Sequence, residues 1–128
     1  MNISLKSDME SPDTEKILAT ILNYLTKEQT GQSIIYLNYE PFEAGDAIIA
    51  GRANIEVKKN SFLSFVDLQP RLNWGHSCIY ILIENETYKV ELFDAQFPPY
   101  QRDYPESYRV LLRYGEKPPH DRYFNVFD

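Results

Sequence analysis

The hydrophobic period of the chain changes at Gly31, and this one change limits the folds open to it. Before Gly31, residues Ile17, Leu18, Ile21, Leu22 and Leu25 recur at i, i+1, i+4, i+5 and i+8. They form one apolar stripe, with Lys16, Thr20, Asn23 and Lys27 off it, as in a helix docked by one face. Ser11-Pro12-Asp13 reads as its start. Ser11 caps the orphan amides, Pro12 suits the first helical position, and Asp13 and Glu15 complement the positive end of the dipole. Gly31 is a C-terminal stop. The spacing predicts a helix from about residue 12 to 29, and a helix of that length needs a surface to dock on.

After Gly31 the period falls to 2. Ser33 to Tyr39 is rich in Ile, Tyr and Leu, and the turn from Glu40 to Asp46 ends it. From Ala47 to Lys58, Gly51, Ala53, Ile55 and Val57 alternate with Arg52, Asn54, Glu56 and Lys58, which marks a strand with one wet face. Phe62 to Leu68 is a further strand. Ser77 to Glu84 is apolar on both faces and reads as a central strand. Asn85-Glu86 makes a tight hairpin turn into the alternation of Tyr88, Val90 and Leu92. Residues 96 to 107 hold three prolines and form a loop, Tyr108 to Tyr114 alternates again, and Arg122 to Phe127 reads as a last edge strand.

These segments predict a mainly β (α+β) fold. One N-terminal amphipathic helix packs on an antiparallel β-sandwich of about seven strands. Residues 1–10 are polar and read as a flexible terminus, and residues 11–128 as a single domain, the ordinary size for one core.

Charge narrows the partners. Thirteen basic against nineteen acidic residues leave a net charge of -6, and no third of the chain is basic. A nucleic-acid protein needs a cationic stripe to release counterions from phosphate, so nucleic acid is not the expected partner. A basic protein is, because complementary charge speeds encounter. No apolar run is long enough for a membrane span. One cysteine excludes an internal disulfide. With no signal-like apolar run near the start, that places the expected location in the cytoplasm.

NWGHSC, residues 73–78, concentrates the rare chemistry: the one Trp, the one Cys and one of two His. In a strand, i and i+2 share a face, so His76 and Cys78 lie side by side if the strand begins at residue 76. With His76 or His120 as base and Asp67 or Asp94 orienting it, Cys78 is a candidate nucleophile of a small cysteine-dependent hydrolase or transferase. The plainer reading is structural. Cys78 opens the most apolar strand, where a thiol is inert. A metal needs three or four suitably spaced ligands, and no CxxC, HxH or HExxH is present, so no metal or other cofactor is expected.

The aromatic loops carry the binding expectation. Trp74 lies in RLNWGH, and FPPYQRDYP sets Phe97, Tyr100 and Tyr104 among prolines, with Arg102 between the tyrosines. Trp, Tyr and Arg are enriched at interface hot spots, and proline lowers the entropy lost on binding. The expected function is a non-enzymatic protein-binding or adaptor module. Its narrower form is an inhibitor or immunity-type protein that acts by occlusion, with Tyr100, Arg102 and Tyr104 as anchors. A small apolar ligand held between the sheets is a further alternative. Open edge strands are compatible with a homodimer.

Overall fold

The computed structural model describes residues 12–50, 53–72, 75–100 and 103–118. Two helices come first, α1 (Thr14–Leu22) and α2 (Lys27–Gln32). Seven strands follow: β1 (Ile34–Asn38), β2 (Ala47–Ala50), β3 (Ala53–Glu56), β4 (Ser61–Asp67), β5 (Cys78–Glu84), β6 (Val90–Ala95) and β7 (Tyr108–Arg113). Strands dominate, and the fold is mainly β with some helix.

The single helix expected over residues 12–29 is two. Asp13, not Ser11, caps α1, and its carboxylate accepts from the Lys16 amide at 3.1 Å. The break follows from Thr26-Lys27-Glu28-Gln29, a capping box. The Thr26 hydroxyl accepts from the Gln29 amide at 3.0 Å, and the Gln29 side chain accepts from the Thr26 amide at 2.8 Å. A chain that caps at Thr26 starts a new helix there. Gly31 then lies inside α2 instead of ending a long helix.

Five strands form one antiparallel sheet in the order β6-β5-β4-β1-β7, with β4 at its centre. Each of its faces is buried under a different cover. On one face Ile35, Leu37, Phe62, Val66, Ile81, Ile83, Leu111 and Leu112 pack with Ile17, Leu18 and Ile21 of α1. On the other, Ile34, Tyr36, Leu63, Phe65, Cys78, Tyr80, Leu82, Tyr108 and Val110 pack with Ile48, Ile55 and Val57. The alternation of two apolar sets along β1, β4 and β5 explains why these strands read as continuous hydrophobic runs.

The expected strand over Ala47–Lys58 is instead the hairpin β2-β3, a separate two-stranded sheet. Ile48 pairs opposite Ile55, and both point to the sheet. Gly51 and Arg52, between the strands, lie outside the described residues, as do residues 1–11 and the last strand expected at Arg122–Phe127. The turn after β5 is also wider than the two residues expected. Glu86 and Tyr88 take positive φ, at 83° and 62°, and the Glu84 amide bonds the Lys89 carbonyl at 2.8 Å. The Lys16 ammonium sits 4.4 Å from the centre of the Tyr88 ring and ties α1 to this turn. Between Ile35 and Tyr36 the register with β7 slips by one residue. This bulge turns both Leu111 and Leu112 toward the helix side. Among the described residues no helix is long and apolar enough to cross a membrane.

Candidate functional site

Register brings the rare residues together at one end of the central strands. Asp67, the last residue of β4, stands opposite Ile34 of β1 and opposite Cys78 of β5. The chain between β4 and β5 returns through Gly75, whose φ of 95° is left-handed and suits glycine. The Gly75 amide bonds the Gln96 carbonyl at 3.2 Å. His76 is thereby aimed at the end of β4, and its Nε2 lies 2.7 Å from Asp67 Oδ1. Both side chains are about 95% buried. Of the two aspartates open to the sequence argument, the structure joins Asp67 to His76. The same oxygen accepts from the Gln69 amide at 3.1 Å, so one carboxylate holds both ends of the connecting loop.

Asp67, His76 and Cys78 therefore lie close together, which resembles a nucleophile, base and orienter in outline. The environment of the thiol works against that use. Cys78 is 2% exposed. Burial, with the Asp67 carboxylate second, pushes its pKa up to about 12. A thiol held this high stays protonated at neutral pH, and the thiolate is the species that attacks. The thiol donates to the Phe97 carbonyl at 3.9 Å. The geometry is that of a buried polar clamp at the end of β4 and the start of β5. Among the described residues no three His, Cys, Asp or Glu side chains gather to hold a metal ion.

The neighbouring aromatics are engaged in the same layer. Tyr36 stacks on Tyr108 with ring centres 5.2 Å apart, and Tyr100 meets Tyr108 edge to face at 4.7 Å. Tyr104 lies 6.2 Å from Tyr108. The Asn38 side-chain amide donates to the Tyr100 hydroxyl at 2.9 Å. Burial raises the pKa of Tyr36 to about 12, and it also raises those of Tyr80, Tyr100 and Tyr108. The rings of Tyr100 and Tyr104 are thus partly spent on the core. Phe97 is the exposed aromatic of that loop at 41%, while its carbonyl accepts from the Tyr80 hydroxyl at 2.7 Å. Trp74, Arg102 and His120 lie outside the described residues.

A surface feature absent from the sequence reading adjoins Phe97. β6 is an edge strand, paired with β5 alone among the described residues. Leu92 on it is 44% exposed, and Glu91 and Asp94 are exposed beside it. The alternation of β6 was legible, but its place at the edge comes from strand order. No family model, curated protein or solved structure matches this chain.

Proposed function

We propose that this chain is a non-enzymatic protein-binding module whose contact surface runs along the β6 edge to Phe97. The observation that carries the reading is the open edge itself. Among the described residues β6 pairs with β5 alone, and Leu92 on it and Phe97 just after it are exposed. Such an edge is a template for another strand. The net charge of -6 supports a basic partner. An inhibitor or immunity-type role, in which the bound chain occludes a basic toxin or enzyme, is the narrower form of this reading.

The test compares the partners captured by the full chain with those captured by a Leu92→Ser/Phe97→Ser variant. Both side chains are exposed, so the variant should melt close to the parent. A partner held by the parent and lost by the variant supports the surface. Identical partner sets, at equal stability, count against it.

A further inference from the structure

We propose that a recess at the end of β6 away from Phe97 is a binding site for a small organic phosphate, separate from the partner surface above. The recess has a volume of about 270 Å³ and is lined by Lys58, Lys59 and Lys89, by Glu84 and Glu91, and by the buried Leu82. Three of the chain's seven lysines meet there.

Register assembles it. Lys58 and Lys59 precede β4, and Lys89 precedes β6. Ser61, first in β4, stands opposite Glu84, last in β5, and the Glu84 amide donates to the Lys89 carbonyl at 2.8 Å. Glu91 stands opposite Leu82, so both share the hairpin face of the sheet. The backbone holds the rim. The Asn85 amide donates to the Asn60 carbonyl at 2.8 Å, which ties the segment carrying Lys58 and Lys59 to the turn before Lys89. The hydroxyl of Ser61, which also lines the recess, donates to the Lys59 carbonyl at 2.6 Å.

Charge and size then choose the ligand. The Glu84 Oε1 accepts from the Thr87 hydroxyl at 2.8 Å and lies 3.9 Å from Lys59 Nζ. Among the described residues no ion pair engages Lys58, Lys89 or Glu91. Three ammoniums against two carboxylates leave an excess of positive charge in a chain whose net charge is -6. That excess selects an anion. Lysine is a compact point charge that suits the several oxygens of phosphate; the planar fork that grips a carboxylate in two bonds belongs to arginine, and no arginine of the described residues lines the recess. Drug-sized ligands fill about 300–1,000 Å³, so the occupant here is smaller. Leu82 and the methylene stems of the lysines offer it apolar surface. The ligand is therefore a phosphate monoester with a short apolar group. Glu91 opposes its charge, so neutralising Glu91 tests the assignment directly.

The experiment is an NMR titration of the full chain that follows the Leu82 methyl signals. The probes are butyl phosphate, inorganic phosphate and butylammonium, at one pH and ionic strength. Butyl phosphate should shift the signals saturably, and the other two should bind at least about tenfold more weakly. Lys58→Gln/Lys89→Gln should weaken butyl phosphate at least about tenfold, and Glu91→Gln should tighten it. All three side chains are exposed, so both variants should melt with the parent. Equal binding of butylammonium or of inorganic phosphate overturns the assignment, as does an affinity that the variants leave unchanged. A shift that grows without saturation means an adventitious ion only and overturns it too. If the double variant fails to fold, the Glu91→Gln comparison decides.

Discussion

Replacing His76 by Ala should be among the most damaging single changes in this chain. The imidazole Nε2 is 2.7 Å from Asp67 Oδ1, and the Asp67 side chain is only 4% exposed. Removing the ring leaves that carboxylate in the protein with the Gln69 amide as its recorded partner, 3.1 Å away. Breaking one side of a buried pair costs about 3–5 kcal/mol, because the remaining charge is desolvated without compensation. A domain of this size has about 5–15 kcal/mol in total. With a urea slope near 2 kcal/mol per molar, the unfolding midpoint should fall by about 2 M. Asp67→Asn added to His76→Ala should restore part of the loss, since the uncompensated charge is then gone. Urea denaturation followed by circular dichroism reads all three proteins. A His76→Ala midpoint within about 0.3 M of the parent would show that the pair is not the clamp its geometry implies.

The alkaline limb of stability should be steep. Burial holds Cys78 and Tyr36 protonated to about 12, and raises Tyr39, Tyr80, Tyr100 and Tyr108 as well. A raised folded pKa gives stability that is complete below the unfolded values, near 9 to 10, and is lost as pH rises from there toward 12. Urea midpoints should stay level from pH 7 to about 8.5 and then decline; a level profile up to pH 11 would contradict the burial of these groups. Tyr80→Phe removes the donor to the Phe97 carbonyl and should cost about 1–2 kcal/mol, with faster amide exchange around residues 96–100. Unchanged exchange there would mean that the bond does not hold the loop. Thr26→Ala should cost about 1 kcal/mol by deleting the capping box, and Thr26→Ser should restore most of it; equal stability of Ala and Ser variants would remove the cap from the account.

The strands were legible where both faces are buried or one alternates cleanly. β1, β4, β5 and β7 fall within a residue or two of the segments read from their Ile, Leu, Tyr and Phe patterns. The misreadings have local causes. Ile55 and Val57 continue the alternation of Ala47–Lys58, so period alone does not show that the chain reverses near Gly51. The stripe from Ile17 to Leu25 hid a second cap at Thr26, because the helical period runs through the break. The joining of Asp67 to His76 depends on β4 and β5 being neighbours in a register that sets Asp67 opposite Cys78. Sequence spacing offered Asp94 equally well. Tyr100 and Tyr104 have the composition of interface anchors, yet their rings lie against Tyr108, a long-range contact that loop composition does not encode. The edge position of β6 likewise follows from strand order, which no local pattern carries.

Asp67, His76 and Cys78 have the residue types of a nucleophilic site and the burial of a structural clamp. The most direct test is the rate at which iodoacetamide alkylates Cys78, measured against pH in the native and the urea-unfolded chain. The account predicts negligible native labelling at neutral pH, and rapid labelling once the chain unfolds, with the apparent pKa of a free thiol near 8.5. Rapid native labelling with an apparent pKa well below about 8.5 would contradict it and make Cys78, His76 and Asp67 a working nucleophilic site.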